Sequence, residues 1–257
     1  MIPGDLVERL AAVRSIAVVT GAGISAESGI RTYRGVGGLY DDPEAGDRTV
    51  EALTGTTLQR DPDRTWRAVA LLAREAIDAR PNAGHLALVR MEALVDRFVI
   101  LTQNVDGLHR LAGSQNVIEI HGTITRAECM SCGVITPVER DLYRDLTVAP
   151  RCDACGGVLR PRAVLFGELL PVLAAARMQD EVLDRPSDLV IGVGTTGLFP
   201  YIVEPILRAR AIGSTTVEVN PEETEISDLY DFRLRGPAGE ILPGLVRALE
   251  DRSEATR

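Results

Sequence analysis

The sequence predicts an α/β fold: a Rossmann-like, doubly wound parallel sheet with a small zinc-binding lobe and a helical insert. Its strand-like runs, such as residues 15–20 and 97–104, are short, β-branched and apolar without alternation, as in strands buried on both faces. Amphipathic segments separate these runs, like the crossover helices of a parallel sheet. Glycine or polar residues follow several of the runs at the C-terminal end, where open α/β sheets bind ligands.

The elements follow from hydrophobic periodicity along the chain. We expect helices at residues 3–14, 61–79, 82–96 and 198–211, and strands at 15–20, 97–104, 117–122, 162–168, 187–196 and 215–223. The first helix is predicted from an apolar side formed by Leu6, Val7, Leu10 and Val13.

The length of 257 residues fits one large domain, or a domain with a small insert. We expect a single domain over 1–257. Its large lobe would span about 1–35, 81–122 and 163–257, and its small lobe about 36–80, which is helical, and 123–162, which holds the cysteines.

Composition narrows the class of protein. Apolar residues make up 45% and charged residues 25%, as in ordinary globular proteins. The net charge of −9 disfavours direct nucleic-acid binding and weakly favours basic partners, although it could equally serve solubility alone. Neither a membrane-length apolar run nor a targeting peptide is evident, so we expect a cytoplasmic protein without membrane contact.

A glycine loop follows the first strand. Residues 21–26, GAGISA, fit the G-x-G-x-x-G/A pattern that lets backbone approach a nucleotide pyrophosphate, although a simple tight turn is the alternative. An ordinary dehydrogenase unit has a ribose-binding acid about 20 residues further on, after a second strand. Here Asp41 and Asp42 lie in a loop-like stretch, and the next clear strand begins near Arg97. The loop therefore predicts a nucleotide that is not used for ordinary hydride transfer.

Polar side chains stand at the ends of the next two strands. Gln103, Asn104 and Asp106 follow the strand at 97–104 and could bind a primary amide, although Asn and Asp are also common turn residues. His121 ends the strand at 117–122. Beside a nucleotide loop it becomes a candidate general base, whereas a lone strand-end histidine is more often structural.

The cysteines form two C-x₂-C pairs separated by 19 residues: Cys129 with Cys132, and Cys152 with Cys155. In a cytoplasmic protein this spacing indicates a metal site rather than disulfides, with free cysteines as the alternative. Four cysteine ligands complete a tetrahedral shell, so the sequence predicts one structural zinc ion.

Together these motifs resemble the sirtuins, the NAD-dependent protein deacylases. The resemblance rests on GAGISAESGI, T-x-RG, TQNVDGLH, IEIHG, the paired C-x₂-C, FGE, VGT and VNPEE, which occur in the sirtuin order. It extends from about residue 15 to residue 246. It implies that the amide oxygen of an acyl-lysine displaces nicotinamide from NAD, after which a histidine base activates a ribose hydroxyl. The products would be nicotinamide, free lysine and 2′-O-acyl-ADP-ribose.

The resemblance also assigns roles by motif. His121 would be the base, and Asn104 would act in nicotinamide release. Acyl-lysine proteins or peptides would pair with the strand at Val164, Phe166 and Gly167. The NAD contacts would be Gly21, Ala22, Gly23, Ser25, Glu27, Tyr33, Arg34, Gln103, Asn104, Val105, Asp106, Gly194, Thr195, Thr196, Asn220 and Ala238.

Some positions depart from the sirtuin pattern. Arg31 and Tyr33 stand where proline and phenylalanine are usual, Leu165 replaces a frequent tryptophan, and Thr196 with Gly197 replaces a serine-rich step. Substrate contacts are therefore expected to differ more than cofactor contacts.

The acyl pocket is predicted from a further departure. Sirtuins that prefer succinyl- or malonyl-lysine carry a Tyr-x-x-Arg pair on a helix of the small lobe, and here that pair falls on Val69 and Leu72. A carboxylate beside these apolar side chains would lose water without gaining a partner. Arg74 should lie on another face. We expect acetyl-lysine to be preferred, whether Val69 and Leu72 line the pocket or only pack in a core.

Three alternative functions remain open at this point. A nicotinamide dehydrogenase is disfavoured by the missing second strand, and a zinc-ribbon nucleic-acid binder by the acidic charge. NAD hydrolysis or ADP-ribosyl transfer on the same fold is disfavoured by the presence of His121.

Overall fold

The computed structural model describes residues 2–32 and 43–255 of the chain. The strands, in chain order, are β1 (Ser15–Thr20), β2 (Arg97–Thr102), β3 (Val117–Glu119), β4 (Gly122–Cys129), β5 (Ile135–Pro137), β6 (Leu159–Ala163), β7 (Leu189–Val193), β8 (Thr215–Asn220) and β9 (Phe232–Arg235). The α-helices are α1 (Gly4–Leu10), α2 (Pro43–Ala52), α3 (Gly55–Arg60), α4 (Pro62–Ile77), α5 (Ala83–Glu92), α6 (Leu108–Ala112), α7 (Val172–Met178), α8 (Pro200–Ala211) and α9 (Ala238–Ala255). Short 3₁₀ turns lie at Ala22–Ser28, Arg140–Arg144 and Ser227–Leu229, and a π turn at Gln179–Leu183.

The large sheet is parallel and six-stranded, in the order β3-β2-β1-β7-β8-β9. The chain proceeds outward from β1 through β2 to β3, then returns to the other side of β1 with β7. Strand order thus reverses between β1 and β7, which is where such sheets bind ligands. The predicted doubly wound α/β fold is confirmed.

Both faces of the large sheet are covered because alternate residues of a strand point to opposite sides. In β1, Ile16 and Val18 pack in a core with α1, α5 and α9. Ala17 and Val19 face the other way, toward α7, the π turn and α8. Burial on both faces is the reason that these strands are apolar without alternation.

The small sheet is antiparallel, in the order β5-β4-β6, and it packs with α4 around a separate core. Trp66 of α4 is fully buried there, and its indole N–H donates to the Leu159 carbonyl at 2.6 Å. The Tyr143 hydroxyl donates to the Ile124 carbonyl, also at 2.6 Å. The buried polar ends of both rings are thereby satisfied, and they tie the helix layer to the sheet.

Three predicted helices are confirmed, and their start positions have local causes. The Asp61 carboxylate accepts from the Arg64 N–H at 3.0 Å and caps α4, while the Asn82 side chain caps α5. Proline occupies the first turn of both α4 and α8, where a missing N–H costs nothing.

Two predictions about elements need correction. The strand expected at 162–168 is wrong, because β6 ends at Ala163 and pairs with β4 in the small sheet. Beyond Ala163, Phe166 donates its N–H to the Leu53 carbonyl. Gly167 has a φ of 81°, which is outside the range of a β-strand. The helix expected at 3–14 ends at Leu10, and Val7 is 40% exposed rather than packed on the sheet.

The sequence did not predict β9, α7 or α9. In β9, arginines alternate with apolar residues over Phe232–Arg235, which is typical of an edge strand. Within the described residues, no helix is both long and apolar enough to cross a bilayer.

Candidate active site

The candidate site lies at the C-terminal edge of the large sheet, around the reversal between β1 and β7. The loops after β1, β2, β3 and β7 carry the glycine loop, the Gln103–Asp106 segment, His121 and Gly194. The fold therefore collects at one edge most of the side chains that the sequence singled out.

The glycine loop packs backbone against backbone on the loop after β7. The Gly23 N–H donates to the Gly194 carbonyl at 2.9 Å, and a Cβ on Gly23 would lie 2.6 Å from the Gly194 Cα. Gly194 itself has a φ of 57°, in the left-handed region. Only glycine fits at these two positions, so part of the G-x-G pattern serves the contact between the two loops.

A buried polar network lies directly beneath this loop. The Asn104 amide donates to the Gly21 carbonyl at 3.1 Å and to the Ser25 hydroxyl at 3.2 Å. Ser25 in turn donates to the Asp106 carboxylate at 2.7 Å. Each of these three side chains is more than nine-tenths buried. The network fixes the Asn104 carboxamide in one orientation, with its nitrogen engaged and its oxygen available.

Gln103 connects the ends of β1, β2 and β7. Its side-chain amide donates to the Thr195 hydroxyl at 2.8 Å and to the Thr20 carbonyl at 3.3 Å. The Asn220 amide, at the end of β8, donates to the Thr195 carbonyl at 3.3 Å. These bonds hold four adjacent strand ends in register.

His121 is held at both ring nitrogens. Nδ1 lies 3.1 Å from the Gln103 carbonyl oxygen, and Nε2 lies 2.7 Å from the Tyr201 hydroxyl. Because a carbonyl can only accept, Nδ1 carries the ring proton and Nε2 presents its lone pair to the Tyr201 O–H. Burial lowers the pKa of His121 below its usual value, and the Gln103 carbonyl opposes this shift only in part. The imidazole is thus neutral near pH 7, the state that a base requires.

The other two histidines, His85 and His109, are buried next to the site and make structural hydrogen bonds. The pKa of His109 is lowered to about 3 by burial and by the neighbouring His85, and burial lowers that of His85 to about 4. His109 Nε2 lies 3.0 Å from the Thr20 hydroxyl, which donates to Thr102. His85 belongs to the capping box of α5. Both are neutral structural groups within the protein.

The remaining predicted NAD contacts are spread around this edge. Glu27 accepts from the Gly239 N–H at 2.7 Å, beside Ala238 at the start of α9. Val105 accepts from the Ile124 N–H at 3.0 Å and thereby joins the loop to β4. Ala22 is half-buried and Thr196 is exposed. Tyr33 and Arg34 lie outside the described residues.

The predicted peptide strand lies next to His121. The Val164 N–H donates to the His121 carbonyl at 2.9 Å, while Phe166 is 39% exposed and Gly167 is open to solvent. The segment 164–168 is not a strand of either sheet, and both main-chain groups of Phe166 are bonded, to the Leu53 carbonyl and the Gly55 N–H.

The two predicted acyl-pocket residues lie in the core of the small sheet. Val69 is 5% exposed within that core, and Leu72 is half-buried against it. Arg74 is exposed and donates to the Tyr143 carbonyl at 3.4 Å. The burial of Val69 favours the interpretation in which it packs in the core over the one in which it lines an acyl pocket.

The four cysteine sulfurs of the small sheet converge. The Sγ atoms of Cys129, Cys132, Cys152 and Cys155 all lie within 4.8 Å of one another. Individual separations are 3.5 Å for Cys129–Cys155 and 3.7 Å for Cys132–Cys152. A tetrahedral zinc site with bonds of about 2.3 Å requires sulfurs about 3.8 Å apart.

Backbone donors prepare the Cys129 sulfur for a cation. N–H groups of Cys132 and Ser131 donate to the Cys129 Sγ and lower its pKa to about 6. A thiolate is the form that binds metal. The cluster therefore fits one structural zinc ion.

Sequence reasoning missed two residues of the site, Phe199 and Tyr201. Their rings stack on each other, with centroids 5.4 Å apart, and both present an edge-type contact to His121. They stand at the start of α8, where the sequence indicated only a helix.

Comparison with known proteins agrees with this geometry. The Sir2 family model matches residues 21–199. The NAD-dependent protein deacylase 2 of Pseudomonas aeruginosa is 47% identical over 235 residues, covering 90% of this chain and 91% of that protein.

Two solved structures share the fold over nearly the whole chain. A mutant Sir2 homologue in complex with 2′-O-acetyl ADP ribose has a TM-score of 0.85 at 35% identity, covering 97% of both chains. A Sir2–p53 peptide–NAD⁺ complex has a TM-score of 0.77 at 27% identity, covering 96% of this chain and 98% of the other. On this sequence match, fold and arrangement of the site, the chain belongs to the Sir2 family.

Proposed function

We propose that this protein is an NAD-dependent protein lysine deacylase and that deacetylation is its main reaction. The observation that carries the proposal is His121: a neutral, doubly anchored imidazole just after β3, with its Nε2 lone pair accepting from the Tyr201 hydroxyl. The family relationship supports the same reaction, with nicotinamide, free lysine and 2′-O-acyl-ADP-ribose as products.

NAD fits the edge where strand order reverses. Gly23 and Gly194 leave no side chain between the β1 and β7 loops, so backbone forms the floor on which a pyrophosphate can lie. We infer that Ala22, Ser25 and Thr195 hold the phosphates and the adjoining ribose, and that Asn220, Glu27 and Ala238 border the adenosine. When bound, NAD supplies a leaving group, nicotinamide, and a ribose that accepts the acyl group.

Asn104 is proposed to orient the nicotinamide end. Its amide nitrogen is occupied by Gly21 and Ser25, so its carbonyl oxygen is the atom left to face a ligand. Since Asp106 and Ser25 are buried with it, little conformational entropy is lost when it binds. Fixed placement of this kind can lower a barrier by several kcal/mol, up to about 7–11.

His121 is proposed as the base that acts after nicotinamide has left. It needs no deprotonation by a neighbouring group, since burial already keeps it neutral. The proton that it receives at Nε2 leaves Nδ1–H bonded to the Gln103 carbonyl, so the ring keeps its orientation during transfer.

Acyl-lysine peptides are proposed to bind along the segment 164–167, of which Phe166 and Gly167 are exposed. The Val164 N–H and both main-chain groups of Phe166 are already bonded within the protein, so an extended peptide would pair with the remaining main-chain groups there. Val164 ties this segment to the proposed base through its bond to the His121 carbonyl. The segment would thereby bring the acyl-lysine close to His121.

Mass spectrometry of an acetyl-lysine peptide incubated with NAD tests the function. We expect one deacetylated peptide and one nicotinamide for each 2′-O-acetyl-ADP-ribose formed, and no conversion without NAD. Production of free ADP-ribose with the peptide still acetylated would contradict the proposal and indicate NAD hydrolysis. The His121→Ala variant serves as the inactive control.

A further inference from the structure

The lone pair of the proposed base is already occupied. Because Nδ1 of His121 donates to the Gln103 carbonyl, Nε2 has one lone pair and no proton. The Tyr201 hydroxyl lies 2.7 Å from Nε2 and must be the donor in this bond. A substrate hydroxyl therefore cannot bond to Nε2 directly while Tyr201 keeps this position.

Tyr201 is built into the site rather than loosely placed beside it. It follows Pro200, the first residue of α8, and its ring stacks on Phe199 with an angle of 11° between the planes. Both rings meet His121 edge-on, at centroid distances of 6.0 Å for Tyr201 and 5.6 Å for Phe199. This contact holds the hydroxyl on Nε2.

The phenol has the properties of a proton carrier. Burial raises the pKa of Tyr201, so the hydroxyl keeps its proton at neutral pH. It donates that proton to Nε2, and its oxygen retains lone pairs that can accept from another hydroxyl. The side chain is half-buried, which leaves it accessible from the site.

We propose that Tyr201 is a catalytic residue that relays the proton from the substrate ribose hydroxyl to His121. The ribose O–H bond breaks as a new O–H bond forms on the Tyr201 oxygen. The original Tyr201 O–H bond breaks as N–H forms at His121 Nε2. The ribose oxygen gains the electron pair for attack on the acyl group, the tyrosine ends neutral, and the histidine ends as imidazolium.

This inference rests on the proposed function, and its test separates the two. Exchange of isotopically labelled nicotinamide into NAD, in the presence of acetyl-peptide, measures the loss of nicotinamide, which precedes proton removal by the base. Tyr201→Phe should retain exchange at the parent rate while deacetylation falls at least about tenfold, since general acid–base groups contribute about 10²–10⁴-fold. If the parent shows neither exchange nor deacetylation, it is the proposed function that fails.

The hydrogen bond between Tyr201 and His121 can be observed without turnover. Nitrogen NMR of the free protein should show His121 with a protonated Nδ1 and an unprotonated, hydrogen-bonded Nε2. Tyr201→Phe should shift the Nε2 resonance and leave Nδ1 nearly unchanged.

Tyr230→Phe is the matched control. The Tyr230 ring is buried on the same face of the sheet, and within the described residues its hydroxyl has no hydrogen-bond partner. Its removal should leave both exchange and deacetylation unchanged. In a His121→Ala background, Tyr201→Phe should cause no further loss, because residues that act as a unit are not additive.

Three results would overturn the relay. Parent-rate deacetylation by Tyr201→Phe would show that the tyrosine moves aside, and faster deacetylation would make it an obstacle. An equal loss of exchange and deacetylation would reduce Tyr201 to a structural role.

Discussion

At the scale of single residues, the site depends on which atoms are left free once structural bonds are made. The Asn104 nitrogen and His121 Nδ1 are committed to backbone carbonyls, which leaves the Asn104 oxygen to meet a ligand and His121 Nε2 to accept from the Tyr201 hydroxyl. His85 and His109 are buried more deeply, but their bonds serve helix α5 and Thr20. Burial of a histidine therefore does not by itself mark a candidate base; the partners of the two ring nitrogens are what distinguish His121 from His85 and His109.

Substitutions of His121 and Asn104 should impair different steps of the reaction. We expect His121→Ala to lower acyl-lysine turnover at least about 100-fold while NAD still binds, because general-base catalysis is lost and the binding loops are intact. Asn104→Ala should slow nicotinamide release itself. Calorimetric titration with NAD and quantification of released nicotinamide distinguish the two variants. Near parental deacylation by His121→Ala would disprove the base assignment.

At the scale of elements, the small sheet shares one core with α4, and two of its four cysteines, Cys129 and Cys152, belong to that core. Cys129 ends β4, and Cys152 and Cys155 precede β6, so a metal bound by all four sulfurs would join the two strands and the turn after β4. Four protein ligands leave no position for water, which is typical of structural zinc.

Cys129→Ser should remove zinc and destabilise the small sheet. Metal binding contributes roughly 10–16 kcal/mol in small zinc modules, so we expect a clear fall in Tm. Metal analysis of purified protein should find one zinc per chain in the parent. Ser131→Ala, which keeps the backbone donor to the Cys129 sulfur, is the control and should retain zinc. Folded parent protein without zinc would refute the assignment.

Helix α4 bears on the choice of acyl group. Val69 packs in the core, and Leu72 lies half-buried beside it, so this face of the helix is apolar. A carboxylate placed there would lose water without a partner, at a cost of several kcal/mol. We expect kcat/KM to be higher for an acetyl peptide than for the otherwise identical succinyl peptide. The reverse order in steady-state assays would disprove this prediction.

At the scale of the whole molecule, the large sheet brings distant loops together and buries titratable groups beneath them. His85 and His109 have pKa values of about 4 and about 3, below the ordinary 6.5 that applies in the unfolded chain. Between pH 6.5 and the lower pKa of each folded histidine, the unfolded state binds more protons than the folded state. The stabilisation is therefore complete above pH 6.5 and is lost as pH falls toward 4.

The free energy of unfolding should therefore fall between pH 6.5 and pH 5. Each histidine contributes up to about 1.4 kcal/mol per pH unit in this range. Urea unfolding at several pH values measures the slope. His109→Gln cannot take up that proton, so its pH dependence should be shallower than that of the parent. Equal slopes in parent and variant would contradict the contribution of His109.

The sequence by itself predicted the fold class, the glycine loop and the cysteine cluster, because these depend on local patterns. Non-alternating apolar strands imply a sheet covered on both faces, the G-x-G pattern marks close backbone approach, and paired C-x₂-C motifs fix a tetrahedral set. The lobe boundaries at about 36–80 and 123–162, and the roles of the NAD contacts, stay predictions.

Only the tertiary structure decided what depends on contacts between distant segments. The segment 162–168 has the apolar run of a strand, yet it leaves the sheet because Phe166 bonds to Leu53, far away in the chain. The close contact of Gly23 with Gly194 by itself requires glycine at both positions. Tyr201 lies 80 positions from His121 in the sequence, so no spacing rule could place its hydroxyl on the His121 ring. Local propensity sets which elements form, whereas the partner of each side-chain atom is set by packing across the whole chain.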